Sequence, residues 1–316
     1  MSALLACALA CLILGGCATQ TMQLRQAAGG LPRHAELDAT PFFPQERYQC
    51  GPAALATVLN ASGLPGTPDA LVAQVYVPAR EGSLQPEMLA AARRQGAPAM
   101  LIPPRLDALL EEVASGMPVL VLQNLSLPIA PLWHYAVVVG YNLDTEEIVL
   151  RSGTTRREVM SMSTFEHTWA RGDDWGMVAP APGSMPRTVK EDVAVEALVA
   201  FEKAAPPGKS YVAYQSALVR FPRNLALRLG AGNAAYAMGD RAAAAEAFRQ
   251  AAADHPRSAP AFNNLATVLA EMGRASEARE AARQAVALGG PWLAQSEATL
   301  REIEAGQGGK PAASGR

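Results

Sequence analysis

Between residues 41 and 182, apolar positions recur first with helical spacing and then with strand spacing. Helical spacing predicts three helices, in GPAALATVLNAS, TPDALVAQVY and QPEMLAAARRQG, the last closed by Gly96. Short apolar runs predict strands in PVLVLQN, HYAVVVGYN, EIVLRS, REVMSM and WGMVAPA. STFEHTWARG predicts a short helix opened by Ser163 or Thr164. Helices followed by antiparallel strands predict an α+β layer architecture.

Beyond the Pro/Gly-rich segment APAPGSMPR, which predicts a domain boundary, the chain repeats itself. Pro222 and Pro256 are 34 residues apart, and Gly239 and Gly273 have the same period. This period and the small, aromatic and proline positions resemble tetratricopeptide (TPR) repeats. The matching residues are Gly232, Ala244, Phe248, Ala251 and Pro256 in 225–258, and Ala266, Gly273, Ala278 and Ala285 in 259–292. A degenerate repeat at 191–224 and a capping helix in PWLAQSEATLREIEA complete the predicted all-α solenoid.

The first residues predict export. ALLACALACLILGG has the length of a signal-peptide core and is short for a membrane span. It ends in LGGC, which resembles a bacterial lipobox, so Cys17 is expected to be acylated after cleavage. No Lys or Arg precedes the apolar core, and a plain secretory signal is the alternative. Ala18 instead of aspartate after Cys17 favours, by the same resemblance, a lipid-anchored protein of the outer membrane that faces the periplasm.

The charge of the chain argues against one class of function, and its cysteine content points to one thiol. The 316-residue chain has a net charge of −2 with both signs scattered, which gives no support for nucleic-acid binding. Cys7 and Cys11 are expected to leave with the signal, and Cys17 to carry lipid, so Cys50 is the remaining thiol. A lone thiol in an oxidising compartment is either buried and inert or kept for its chemistry.

QCGPAALATVLN puts Cys50 at the start of a predicted helix. The free N–H groups there are expected to lower the pKa of the thiol and to face an oxyanion formed beside it. A general base is also needed, and the chain has four histidines as candidates. His34 lies in a polar segment, His167 on the short helix, and His255 at a repeat junction. His134 opens the strand HYAVVVGYN, where it is either a core residue or the base.

QERYQCGPAALATVL followed by WHYAVVVGYN resembles the C39 family of cysteine peptidases, which have a papain-like fold. The resemblance implies Cys50 as nucleophile, His134 as general base and acid, and Gln45 as oxyanion donor, with Gln49 as the alternative. The family usually has an aspartate on the next strand, and Ser152 stands at that place. Ser152 could orient the imidazole without stabilising its charged form, Asn142 or Asp144 could substitute, or the site is weak or inactive.

These expectations define a domain plan. The predicted segments are a signal peptide 1–16, a tether 17–37, a C39-like peptidase domain 38–182, a linker 183–190, helical repeats with a capping helix 191–305, and a disordered tail 306–316. No metal-ligand spacing and no phosphate-binding loop are visible, so no cofactor is expected.

Three functions fit the pattern. The first is a membrane-anchored thiol peptidase whose repeats hold a protein substrate or partner. The second is a binding lipoprotein in envelope assembly that has lost efficient catalysis. The third is a thiol-dependent amidase or transferase acting on non-peptide amides, which the sequence does not separate from the first.

Overall fold

The structure is a computed structural model that describes residues 19–26, 30–44 and 50–306. The predicted signal peptide, Cys17, Gln45, Gln49 and residues 307–316 of the predicted tail lie outside the described residues. The chain divides into two compact units. The N-terminal unit runs through Ala181 and includes residues 186–193, whereas residues 182–185 and those from Ala194 onward form the C-terminal unit.

The N-terminal unit mixes helices and strands. Its helices are α1 Thr19–Gln26, α2 Cys50–Ala61, α3 Pro68–Val75, α4 Gln85–Arg94, α5 Leu106–Ala114 and α6 Met162–Ala170. Its strands are β1 His34–Glu36, β2 Tyr76–Val77, β3 Gly82–Ser83, β4 Met100–Leu101, β5 Val119–Asn124, β6 Trp133–Asn142, β7 Glu147–Ser152, β8 Thr155–Ser161 and β9 Gly176–Val178. The predicted α+β architecture is confirmed.

The sheet has the order β4-β9-β5-β6-β7-β8, all antiparallel, and β1 also pairs with β6. Side chains alternate between the two faces of a strand. Tyr135, Val137 and Val139 of β6 pack in one core with Leu55 and Leu59 of α2. α5 contacts β5 and β6, and α6 contacts β5, so β5 is buried along its whole length. The sheet is therefore the middle layer, with α2 on one face.

The short helix α6 begins earlier than predicted. Ser161, and not Ser163 or Thr164, is its N-cap, because its hydroxyl accepts from the N–H of Thr164. β8 runs directly into the helix at this residue, so the cap lies at the strand's last position.

The segment predicted as a tether is folded where the structure describes it. Glu166 of α6 is only 5% exposed, and its carboxylate accepts from the N–H of Gln20 and from the N–H and hydroxyl of Thr21. These bonds satisfy donors of the first turn of α1 that have no partner within the helix. β1 extends the sheet beside β6. The expectation of a polar tether overlooked these long-range contacts.

The C-terminal unit is all-helical in its described residues. Its helices are α7 Glu191–Glu202, whose first three residues are counted with the N-terminal unit, α8 Pro207–Arg220, α9 Leu225–Ala237, α10 Arg241–Asp254, α11 Ala259–Glu271, α12 Ala275–Leu288 and α13 Leu293–Glu304. Helix starts recur every 34 residues, at 191, 225, 259 and 293 and at 207, 241 and 275. A Cβ on Gly232 would lie 2.4 Å from the ring of Phe248, so paired helices approach closely at this repeat position. The predicted helical repeats are confirmed.

Candidate active site

Helix α2 begins at the predicted nucleophile. Gly51 packs so closely that a Cβ there would lie 2.3 Å from Oγ of Ser83 in β3. Pro52 stands in the first turn, where a missing N–H costs nothing. From Gly51 to Leu59 every residue of the helix is buried. The start of α2 is therefore fixed against β3, and Cys50 with it.

Cys50 is a free thiol, and it is partly buried. Burial raises its pKa above the ordinary value, although the backbone N–H groups of Tyr135, Gly51 and Cys50 itself lower it. The pKa of Cys50 is therefore raised overall, whereas the helix N-terminus alone was expected to lower it. The loss of solvent around the thiol outweighs the effect of the N–H groups. The contact with Tyr135 puts the thiol beside the backbone of β6, one residue from His134.

His134 is the second residue of β6 and is partly exposed. Its Nε2 lies 3.0 Å from Oγ of Ser152 at the end of β7. Burial lowers the pKa of His134, while the negative charge of Glu158 raises it. With Nε2 held by the hydroxyl, Nδ1 is the ring nitrogen left for another partner.

The two alternative partners of His134 lie elsewhere. Asn142 Oδ1 accepts from the N–H groups of Asp144 and Thr145 in the β6–β7 turn, and Asp144 pairs with Arg33. This turn follows the far end of β6, roughly 27 Å from His134 at ~3.4 Å per residue. Of the three candidates, the structure brings only Ser152 to the imidazole.

Glu158 of β8 is a charged neighbour that the sequence reasoning missed. It pairs with Leu150 of β7, two residues before Ser152, so its side chain and that of Ser152 share a face of the sheet. The alternation of residues in β8 shows which side chains share a face with Glu158. Only the register between β7 and β8 shows that this face also carries Ser152. The negative charge of Glu158 acts on His134 and raises the pKa of the imidazole.

The other histidines make backbone contacts. His167 Nδ1 lies 2.6 Å from the carbonyl oxygen of Ser163 in α6, and His255 Nε2 lies 2.6 Å from that of Arg223. His34 opens β1. Within the described ranges, no three His, Cys, Asp or Glu side chains are grouped so as to hold a metal ion. In the same ranges, no helix has the length and apolarity needed to cross a membrane.

Comparison with known proteins finds similarities in both regions of the chain. Residues 37–174, less than half of the chain, match the model of the Peptidase_C39 like family. A C39-like peptidase from Bacillus anthracis is 16% identical, with a TM-score of 0.41, and the match covers 50% of this chain and all of that one. No curated protein matches this chain.

TPR proteins resemble the other region. The translocator chaperone SycD of Yersinia enterocolitica is 17% identical, with a TM-score of 0.35, over 37% of this chain and 87% of its own. The TPR domain of Sgt2 from Aspergillus fumigatus is 25% identical, with a TM-score of 0.32, over 39% and 87%.

Proposed function

We propose that this chain, which carries a C39-like peptidase domain before a TPR-like helical region, is a thiol peptidase that uses Cys50 and His134. One observation carries the proposal. The thiol at the start of α2 accepts from the backbone N–H of Tyr135, and the adjacent His134 has its Nε2 occupied by Ser152. Thiol catalysis requires a nucleophile, a base near it and a group that orients the base, and Cys50, His134 and Ser152 are our candidates for these three roles.

In the resting site both groups are neutral, because burial raises the pKa of Cys50 and lowers that of His134. Attack and proton transfer therefore occur together. Sγ bonds to the carbonyl carbon of the substrate, while the thiol proton passes to Nδ1 of His134. The N–H groups of Cys50 and Gly51 face the thiol and stabilise the negative carbonyl oxygen.

The tetrahedral intermediate then collapses. His134 gives its proton to the departing amine, the C–N bond breaks, and a thioester remains on Cys50. Water attacks this thioester as the imidazole removes its proton, the C–S bond breaks, and the released thiolate regains the proton from His134. The products are a carboxylic acid and an amine. Gln45 remains our candidate for a side-chain oxyanion donor.

Ser152 and Glu158 together replace the aspartate that the family usually has at this place. The Ser152 hydroxyl fixes the ring orientation by its contact with Nε2. The carboxylate of Glu158 favours the imidazolium, as the upward effect on the pKa of His134 indicates. A remote charge stabilises the imidazolium less than a hydrogen-bonded carboxylate does, so the site is expected to be slow.

We also propose export and anchoring through acylated Cys17 in the bacterial envelope, on the periplasmic side of the outer membrane. Residues 18–20 span at most about 10 Å, and Gln20 is hydrogen-bonded to Glu166. An acylated Cys17 would therefore hold the peptidase domain close to the bilayer. The TPR-like region would bind a protein substrate or partner.

The raised pKa of Cys50 favours one rival, a binding lipoprotein with a silent site. The alkylation rate of Cys50 by iodoacetamide, measured against pH, separates the two. We would use residues 17–316 with Cys17→Ser, which leaves one thiol, and the same chain with His134→Ala. A peptidase site predicts roughly 100-fold slower alkylation near neutral pH in the His134→Ala chain, since general-base assistance is lost. Equal rates and an ordinary pH dependence in both chains would support the binding lipoprotein.

A further inference from the structure

The loop between β5 and β6 exposes a dense set of apolar side chains. We call residues 125–133, LSLPIAPLW, the apolar loop. Its large exposed side chains are Leu125 (42%), Leu127 (63%), Ile129 (91%), Leu132 (59%) and Trp133 (52%). No residue of the loop is charged. Contiguous apolar surface of this kind is uncommon on a soluble domain unless it binds something.

Hydrogen bonds anchor both ends of the apolar loop. Asn124 is 2% exposed, and its Oδ1 accepts from the N–H groups of Ser126 (3.0 Å) and Leu132 (2.9 Å). The N–H of Leu125 donates to the carbonyl of Leu132 at 2.9 Å. Arg171 donates to the backbone oxygen of Asn124 at 3.1 Å. A surface ordered in advance loses little conformational entropy when it binds a ligand.

The apolar loop is continuous with the candidate active site. Its last residue, Trp133, directly precedes His134 in β6. Across the sheet, Asn124 pairs with Trp133 and Gln123 with His134. The backbone of Tyr135, which contacts the Cys50 thiol, is two residues from Trp133. The apolar loop therefore adjoins the part of β6 whose backbone contacts the Cys50 thiol.

The surrounding charge argues against a bilayer as the occupant. Segments that lie in a membrane surface combine apolar side chains with Lys or Arg. Residues 119–137 contain neither. The guanidinium of Arg171, at the base of the loop, already donates to a backbone carbonyl.

We propose that the apolar loop is the substrate-recognition surface of this site, and that it binds an apolar stretch of peptide next to the scissile bond. The inference rests on the proposed peptidase function and adds its substrate class. Leu127 and Ile129 at the tip determine specificity, because they are the most exposed of its side chains. Binding there removes apolar surface from water on both partners.

Two peptide probes with the same iodoacetamide group test this, one carrying leucines and one serines at the same positions. The proteins are residues 17–316 with Cys17→Ser, alone and with Leu127→Ser and Ile129→Ser. Val219→Ser is the matched control, since Val219 is 86% exposed and lies on α8 in the other unit. We expect the parent to react at least ~10-fold faster with the leucyl probe, which is ~1.4 kcal/mol. The ratio of the leucyl rate to the seryl rate should fall toward one in the double variant and stay unchanged in the Val219→Ser control. The rate with iodoacetamide, which reports the reactivity of the thiol itself, should be equal in all three proteins.

A leucyl-to-seryl ratio near one in the parent, or a ratio that survives the double substitution, overturns the proposal. If iodoacetamide does not react with Cys50 at all, the peptidase proposal fails by itself. Calorimetric titration with an unreactive leucyl peptide amide then tests the loop, and binding lost in the double variant supports it. Absent binding overturns it. The proposal is also overturned if the parent does not discriminate between the two probes, while its binding to vesicles or its self-association depends on Leu127 and Ile129.

Discussion

At the scale of residues, the contact between His134 and Ser152 decides the strength of the candidate site. A hydroxyl at 3.0 Å from Nε2 can fix the orientation and tautomer of the ring. It cannot offset the positive charge that an imidazole gains when it acts as a general base. Burial already lowers the pKa of His134, so imidazolium is disfavoured, and Glu158 offsets this only in part.

Replacing Ser152 by aspartate should strengthen this site. A carboxylate beside Nε2 should raise the pKa of His134 by about 1–3 units, since an opposite charge at this distance favours the charged ring. The base must be neutral to accept the thiol proton, so the acid limb of the pH–rate profile should move to higher pH by the same amount. NMR titration of the ring protons of His134 measures the shift, with His134→Ala used to assign the signal.

Two variants bracket this expectation. Ser152→Ala removes the orienting contact without adding charge and should slow alkylation of Cys50. Glu158→Gln removes the carboxylate that raises the pKa of His134, so that pKa should fall further. A pKa that responds to neither Ser152→Asp nor Glu158→Gln would contradict our assignment of the charges facing this ring.

At the scale of elements, the position of Cys50 depends on how α2 packs on the β2–β3 hairpin. The missing Cβ of Gly51 allows this contact, since any larger residue would overlap Ser83. Tyr135 reinforces it, because its hydroxyl donates to the carbonyl oxygen of Ser83 at 3.1 Å. The short strand β3 thus contacts both α2, which begins at Cys50, and β6, which carries His134.

The substitution Gly51→Ala should therefore destabilise the N-terminal unit. Its Cβ would lie 2.3 Å from Oγ and 2.6 Å from Cβ of Ser83, and relief requires a shift of α2 or β3. We expect the free energy of unfolding to fall by about 1–3 kcal/mol, measured by chemical denaturation. Ser83→Gly in the same chain removes both overlapping atoms and should restore most of the loss.

Gly66→Ala is the matched control, because a Cβ there would make only an ordinary contact, 3.7 Å from Leu59. It should change stability far less than Gly51→Ala does. A double variant Gly51→Ala with Ser83→Gly that is no more stable than Gly51→Ala alone would show that the overlap is not the cause.

At the scale of the whole molecule, part of the segment predicted as a linker belongs to the N-terminal unit. Glu112 of α5 is fully buried, and its carboxylate accepts from the N–H groups of Arg187 and Thr188 and from the Thr188 hydroxyl. Val189 is also fully buried. Arg187 and Thr188, which were predicted as part of a linker, thus supply hydrogen-bond donors to a buried carboxyl group that would be costly to bury without them.

The predicted domain end at residue 182 can therefore be tested directly. A fragment of residues 19–182 leaves the carboxylate of Glu112 without these donors, whereas residues 19–193 keep them. We expect the shorter fragment to have the lower Tm in a thermal unfolding scan, by several degrees or more. Equal Tm values would support the boundary at 182 and assign residues 183–193 no stabilising role.

The sequence by itself determined the features that repeat or alternate locally. The 34-residue period predicted the paired helices of the C-terminal unit, because each repeat must bury the same face against its neighbours. Apolar alternation predicted β6, and the Cys-Gly-Pro start predicted α2. Helix α5 was not predicted, although LDALLEEVA has helical spacing. The catalytic roles of Cys50, His134 and Ser152 stay predictions.

Only the tertiary structure decided the features that depend on distant partners. Strand register brings Ser152 and Glu158 to His134 and leaves Asn142 and Asp144 at the far end of β6. Packing against Glu166 turned a predicted tether into a helix bound to the domain. Loss of solvent raised the pKa of Cys50, where the helix N-terminus alone predicted a lowering. Register and burial are set by residues far apart in the chain, so local patterns do not contain them.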